Sequence, residues 1–271
     1  MSGLPFLKGH GLGNDFVVVS ESDLSSPLTP EQVRRICDRR LGVGADGVLV
    51  FRGGDTPYMQ ILNSDGSEPE MCGNGLRVFA RYLVEAQGFS NQGTVATLAG
   101  PRTFRILDDQ SVEVGMGQAE FVSEADGLVV ELPDWAPLRG SHVSMGNPHF
   151  VVFEDDAVLA PHELARLGAK IQDHQAFPDG VNLSSAAMTG ASNIDLRVFE
   201  RGCGLTEACG TAACAVAAAA VHSGRVPQGE AVAVRLPGGP LMIQVAADGS
   251  VRMTGTADIV ARGLIDRGFL G

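Results

Sequence analysis

The sequence predicts an α+β fold of two pseudo-symmetric domains, each a mixed, mostly antiparallel sheet curled around a central helix. Three observations predict it. First, landmarks recur in order. Asn14 at a glycine turn, Asp46-Gly47-Val48 thirty-two residues on and Cys72-Gly73 ahead of a helical segment are matched by Asn147, Asp179-Gly180-Val181 again thirty-two residues on, and Cys209-Gly210. Second, residues 213–221 are apolar on every side, which suits a helix enclosed by sheet. Third, short strand-like runs bounded by turn residues outnumber helical patterns elsewhere.

In chain order, the turn Gly11-Leu12-Gly13-Asn14-Asp15 leads into a strand at 16–20. Residues 25–40 read as a surface helix, with Thr29 as its cap and Pro30 at the first helical position. Strands follow at 48–51 and Tyr58–Asn63, the second ending nine residues before Cys72. Beyond Cys72, the apolar residues Leu76, Phe79, Ala80 and Leu83 fall at i, i+3, i+4 and i+7, one face of a helix. Strands at 103–107 and 111–114 complete the first copy, and the glycine-rich Gly115-Met116-Gly117 divides the chain into domains 1–116 and 117–261. In the second copy a strand at 129–132 precedes Gly146-Asn147-Pro148-His149-Phe150, which runs into another strand. The strand at 194–200 ends nine residues before Cys209, repeating the first spacing, and strands at 232–236 and 242–245 follow the central helix.

With 44% hydrophobic and 19% charged residues among 271, the chain has enough apolar side chain for a folded core. Twenty Lys and Arg against 32 Asp and Glu give a net charge of −12, which argues against nucleic acid or anionic lipid as a partner. The longest apolar stretch, 212–221, is about half of the ~20 residues that a membrane-spanning helix needs. Polar and glycine residues interrupt 1–16 where a signal peptide needs a continuous apolar segment, so the expected compartment is the cytoplasm.

Cys37, Cys72, Cys203, Cys209 and Cys214 form an odd set without a C-x-x-C pair, so neither a disulfide framework nor a zinc site is expected. Two of the five have a special setting. Cys72 and Cys209 precede the small-residue turns Gly73-Asn74-Gly75 and Gly210-Thr211-Ala212 and then a helix, which puts each thiol at a helix N-terminus. Unpaired N–H groups and the positive end of the helix dipole favour an anion there, and lower a cysteine pKa from about 8.5 toward neutrality.

Two such thiols on opposite sides of a bound small molecule can invert a stereocentre. One removes the proton from carbon and the other delivers a proton to the opposite face, with no cofactor or metal required. The α-hydrogen of an amino acid is barely acidic, so the developing carbanion needs groups that strengthen in the transition state, a task for helix N–H groups holding the α-carboxylate. Asn14, Asn63, Asn147 and Asn182 are placed to orient the ends of a zwitterion, Glu200 to accept from its ammonium and Arg201 to hold a carboxylate. A thiol redox couple is the competing reading, and the missing C-x-x-C argues against it. Gly42-Val43-Gly44-Ala45-Asp46-Gly47 matches G-x-G-x-x-G, but a helix precedes it and a strand follows, the reverse of a dinucleotide site.

Gly11-Leu12-Gly13-Asn14-Asp15-Phe16, Asn63-Ser64-Asp65-Gly66-Ser67, Met71-Cys72-Gly73-Asn74-Gly75, Gly146-Asn147-Pro148-His149, and Glu200-Arg201-Gly202 through Ala208-Cys209-Gly210-Thr211 together resemble the diaminopimelate epimerases. The resemblance spans nearly the whole chain. It implies a pyridoxal-independent enzyme that interconverts LL- and meso-2,6-diaminopimelate, with Cys72 and Cys209 as the catalytic thiols. It implies substrate contacts from Asn14, Asn63, Gly73, Asn74, Asn147, Asn182, Glu200, Arg201, Gly210 and Thr211, with His149 in support. It also implies a homodimer, and a C-terminal tail, 262–271, that returns to the first domain. Proline racemases and hydroxyproline epimerases share the two-thiol logic, but typically carry Gly-His-Gly where this chain has Gly73-Asn74-Gly75. Three positions depart from the family pattern: Gly47 where some members place a glutamine contact, Leu205 where a glutamate is frequent, and Ala212 where a glycine is frequent.

Overall fold

The structure, a computed structural model, describes residues 3–122, 124–133 and 135–271. The chain divides into two units, one running to Val114 and resuming over Gly255–Gly271, the other Gly115–Thr254. The first contains β1 (Leu4–Gly11), β2 (Asn14–Ser20), α1 (Pro30–Cys37), β3 (Gly47–Arg52), β4 (Tyr58–Asn63), α2 (Gly73–Gln87), β5 (Gln92–Thr97), β6 (Gly100–Ile106) and the start of β7 (Val112–Gln118). β1 and β2 form a hairpin, β2 and β3 run parallel, and β3 and β4 are antiparallel.

The unbroken apolar runs of β2 and β3 have a cause in the layering. Val17, Val19, Val48 and Val50 pack in one cluster with Val33 and Ile36 of α1. Leu49 faces the other way, so close to the start of α2 that a Cβ on Gly75 would lie 3.3 Å from its Cδ2. Strands covered on both faces lose the alternation of apolar and polar residues. α2 is packed among β1, β2, β4, β6 and β18 (Asp258–Ile265), and its predicted face of Leu76, Phe79, Ala80 and Leu83 is fully buried.

α1 is shorter than the 25–40 expected. Ser26 and Thr29 each precede a proline, which disfavours helical backbone before Pro30. Thr29 and Gln32 cap the start reciprocally, at 3.2 and 2.9 Å. At the other end the Asp38 carboxylate accepts from the N–H groups of Arg40 and Leu41 at 2.8 and 2.7 Å, building a turn in place of further helix.

The return to the first unit begins at Gly255, earlier than the expected 262, and the second unit ends at Thr254 where 261 was expected. The length of β1 explains this. β18 pairs antiparallel with it from His10 opposite Asp258 to Leu4 opposite Ile265, so the whole edge is covered. Beyond β18, Phe269 and Leu270 in α5 (Arg267–Leu270) pack on the α1 cluster.

The second unit repeats the plan. Its elements are β8 (Glu120–Phe121), β9 (Leu128–Val130), β10 (Leu138–Ser144), β11 (Pro148–Glu154), α3 (Pro161–Ile171), β12 (Asn182–Gly190), β13 (Asn193–Glu200), β14 (Gly204–Thr206), α4 (Gly210–His222), β15 (Ala231–Leu236), β16 (Gly239–Val245) and β17 (Ser250–Gly255). β10 and β11 form a hairpin, β11 and β12 run parallel, and β12 and β13 are antiparallel, as in the first unit. α3 occupies the place of α1 and buries Leu164, Leu167 and Ile171 against Phe150, Val152 and Leu183. α4 is packed among β10, β11, β12, β15 and β16, with Ala212 through Ala220 buried. Its small side chains let strands approach from several sides, as the all-round apolar sequence predicts.

Candidate active site

Both cysteines singled out by the sequence are helix N-caps, Cys72 on α2 and Cys209 on α4. In the first unit three strand ends converge beside Cys72, since Phe16 stands opposite Gly47 and Gly47 opposite Asn63. The hairpin before Asn14 needs positive φ at both Leu12 (56°) and Gly13 (85°), which turns the chain tightly enough to bring Asn14 to the helix start. Cys72 Sγ donates to Asn14 Oδ1 at 3.8 Å and accepts from the Gly75 N–H at 3.4 Å. Asn74 Nδ2 also donates to Asn14 Oδ1, at 3.2 Å. Asn63 donates to Ser67 Oγ at 3.0 Å in the adjoining turn. The structure thus brings Asn14, Asn63, Cys72, Gly73 and Asn74 to one end of the first unit's sheet.

The sequence reading missed the charged frame behind this group. Asp46 accepts from Asn14 Nδ2 at 2.8 Å and from the Asp15 N–H at 3.0 Å. Arg39 bridges Asp15 and Asp46, each at 2.7 Å, and Lys8 pairs with Asp15 and donates to the Gly44 carbonyl. Burial raises the Asp15 carboxyl, but hydrogen bonds from Arg39 and Lys8 outweigh it and hold the pKa at about 2. The recurrence of Asp46 at the same interval as Asp179 was the available signal, read only as a landmark of duplication. Gly47 has no room for a side chain, because a Cβ there would lie 2.7 Å from the Leu62 carbonyl.

In the second unit, Gly146 (φ 93°) closes the β10–β11 turn and presents Asn147. The His149 Nε2–H donates to Asn147 Oδ1 at 3.0 Å, and Asn147 Nδ2 donates to Thr211 Oγ1 at 3.3 Å. His149 Nδ1 is buried and meets no hydrogen-bond partner among the described residues, and an orphaned acceptor costs less than an orphaned N–H, so the proton resides on Nε2. Burial, then His142 and Arg201, depress the imidazole pKa to about 3, which keeps the ring neutral. Thr211 Oγ1 lies 3.5 Å from Cys209 Sγ.

Asn182 is buried and its amide is committed to backbone, donating to the Pro148 carbonyl at 3.0 Å and accepting from the Arg201 N–H at 2.9 Å. It ties the end of β11 to the end of β13. Arg201 in turn donates to the Asp179 carbonyl at 2.7 Å. Glu200 accepts from the Thr206 hydroxyl, a partner the sequence reading did not identify, and pairing of β13 with β14 sets Glu200 opposite Gly204.

One expectation is corrected here. The helix N-terminus does not bring Cys209 toward neutrality. Burial, followed by the charge of neighbouring Glu200, pushes its thiol well above the ordinary cysteine range, while the Thr211 hydroxyl and the Ala212 N–H pull more weakly the other way. Among the described residues no group of three His, Cys, Asp or Glu side chains stands close enough to hold a metal.

The sequence profile described as diaminopimelate epimerase matches residues 6–122 and 141–260. The chain belongs to the diaminopimelate epimerase family. It is 41% identical to diaminopimelate epimerase 1 of Nostoc sp., an alignment covering 96% of this chain and 99% of that one. It is 42% identical to diaminopimelate epimerase of Synechococcus elongatus, covering 97% of this chain and 98% of the relative. The fold is shared with more distant solved structures. A hydroxyproline epimerase from Agrobacterium vitis matches with a TM-score of 0.70 and 16% identity, over 98% of this chain and 91% of that one. A phenazine biosynthesis protein from Bacillus anthracis matches with a TM-score of 0.72 and 15% identity, over 98% and 99%. The chain is an isomerase of the epimerase class, on a fold that supports other chemistry as well.

Proposed function

We propose that this protein interconverts LL- and meso-2,6-diaminopimelate by a two-base mechanism in which Cys72 and Cys209 act on opposite faces of one α-carbon. The observation that carries the reading is the matched placement of the two thiols. Each caps the helix enclosed by its own unit, and each stands beside an asparagine delivered by the corresponding hairpin. Cys209, raised by burial and Glu200, enters as the thiol, whereas Cys72, which donates to Asn14 in the empty enzyme, gives that proton to water when substrate displaces the contact and enters as the thiolate. The Cys72 thiolate takes the α-proton and leaves a carbanion. Cys209 then gives its proton to the opposite face and becomes the thiolate. The reverse reaction exchanges the two roles.

N–H groups at Gly73-Asn74 and Gly210-Thr211, at the first turns of α2 and α4, hold the α-carboxylate and gain strength as charge spreads onto it. Asn14, Asn63, Asn147, Asn182, Glu200 and Arg201 place the two ends of the zwitterion, with His149 orienting Asn147 from behind. On this reading no pyridoxal phosphate or metal takes part, and the reaction serves lysine and peptidoglycan precursor synthesis. The enzyme works in the cytoplasm as a homodimer. The net charge of −12 supports a small-molecule substrate over a nucleic acid partner, and no helix among the described residues is long and apolar enough to cross a membrane. The test is chiral analysis of LL-diaminopimelate incubated with purified, reduced protein and no added cofactor. Formation of the meso isomer is expected, and unchanged stereochemistry with folded, reduced protein would refute the proposal.

A further inference from the structure

The two hairpin asparagines occupy matching places in the duplicated plan, yet their amides are turned opposite ways. Asn147 offers its oxygen to His149 and its nitrogen toward the cysteine side, through Thr211. Asn14 offers its nitrogen to Asp46 and its oxygen to Cys72 and Asn74. The difference lies in the partner behind each amide. A carboxylate only accepts, so the Asn14 NH2 must face Asp46 and the carbonyl oxygen is left for the thiol. In the second unit the partner behind the amide is the His149 N–H, a donor, in place of a carboxylate. Asp179, thirty-two residues after Asn147 as Asp46 is after Asn14, meets Arg201 through its backbone carbonyl.

We propose that Asp46 is a positioning residue for the reaction: by accepting from the Asn14 side-chain amide it fixes which end of that amide meets the Cys72 thiol. The same Asp46 oxygen accepts from the Asp15 N–H, which holds the hairpin on which Asn14 stands. The other Asp46 oxygen receives Arg39, so the carboxylate has one oxygen for each task. An acceptor at the sulfur steadies the protonated thiol and releases it only when substrate displaces the contact. A donor there would steady the thiolate in the empty enzyme. The assignment rests on the epimerase reading for its relevance to turnover, but its primary readout does not.

The test compares Asp46→Ala, Asp46→Asn and Arg39→Gln with the parent. Alkylation of Cys72 by iodoacetamide at neutral pH is followed on the Cys72 peptide by mass spectrometry, alongside kcat and KM for LL-diaminopimelate. In Asp46→Ala the Asn14 NH2 loses its acceptor, only the Asn74 donor is left to hold the amide oxygen on the sulfur side, and the amide turns its NH2 to the sulfur in part of the population. Cys72 is then expected to alkylate roughly fivefold faster, the effect of one hydrogen bond exchanged, with kcat falling more than KM rises. Asp46→Asn keeps an oxygen for Asn14 and the Asp15 N–H while losing Arg39, and Arg39→Gln leaves the Asp46 carboxylate in place. Both are expected to stay within twofold of the parent in Cys72 alkylation. The proposal is overturned if folded Asp46→Ala alkylates at the parental rate. It is equally overturned if Asp46→Asn or Arg39→Gln changes that rate beyond twofold, which would make the ion pair and not the accepted hydrogen bond the determinant. Failure of the parent to epimerise would instead refute the reaction, and leaves the alkylation comparison standing.

Discussion

Replacing Asp15 by Asn should reveal how much the charged frame behind Asn14 contributes to the fold. Its side chain is only 14% exposed and is held between Lys8 and Arg39. Burial works against the carboxylate, and Arg39 and Lys8 more than offset it, lowering the pKa from 3.8 to about 2. At 1.36 kcal/mol per pKa unit, that depression corresponds to about 2 kcal/mol of stability. The sign follows from the direction. Because the folded pKa lies below the unfolded one, the contribution is complete above the unfolded pKa of 3.8 and is lost as the pH falls through that value toward about 2. Urea titrations of parent and Asp15→Asn, followed by far-ultraviolet circular dichroism, should differ by about 2 kcal/mol at neutral pH and converge as the pH approaches about 2. A variant as stable as the parent at neutral pH, or a deficit that persists undiminished in acid, would refute the reasoning.

Other variants probe the proposed site and its support. Cys72→Ser and Cys209→Ser should each lower epimerisation by about 100-fold or more while circular dichroism stays unchanged, since each removes one of two required proton carriers. Near-normal turnover by either would reject the pair. His149→Gln keeps an amide donor near the place of Nε2. Because burial holds His149 neutral with a pKa of about 3, the rate–pH profile between about 5 and 8 should keep its shape, and loss of a titrating limb there would contradict the assignment. Gly168→Ala should destabilise by about 1–3 kcal/mol, because the new Cβ would lie 2.2 Å from Phe199 Cγ where α3 crosses β13. An unchanged thermal midpoint would show that the helix shifts without cost.

The features legible in the sequence were those that local spacing dictates. Thirty-two residues from Asn14 to Asp46 and from Asn147 to Asp179 correspond to the same strand, helix and parallel strand in each unit, with Phe16 opposite Gly47 and His149 opposite Asn182. The all-round apolar run after Cys209 predicted an enclosed helix, and the glycine turns after both cysteines predicted helix starts. α3 was equally legible, since Pro161 and Glu163 repeat the signature of Pro30 and Gln32 and Leu164, Leu167 and Ile171 fall at i, i+3 and i+7, and the sequence reading missed it. The protonation of Cys209 was not legible at all. A helix N-terminus can be read from neighbours in the chain, whereas desolvation by the unit's interior and the approach of Glu200 arise only when distant segments pack. The same limit hid the Asp15, Arg39 and Asp46 network, whose members are individually ordinary surface residues and acquire a role only through the β1–β2 hairpin and the loop after α1. The same holds for the tie that the Asn182 amide makes between the Pro148 carbonyl and the Arg201 N–H, which joins segments distant in the chain.

In the proposed mechanism, proton removal and proton delivery belong to different sulfur atoms. The direct measurement is isotopic content in the first few per cent of turnover in deuterium oxide, starting from protiated LL-diaminopimelate. A thiol carries a single proton, so separate donor and acceptor sulfurs require nearly every early meso molecule to hold solvent deuterium at the inverted carbon, while unconverted LL substrate remains protiated. Early product that retains the original protium would mean that one group both takes and returns the proton, contradicting the two-thiol mechanism.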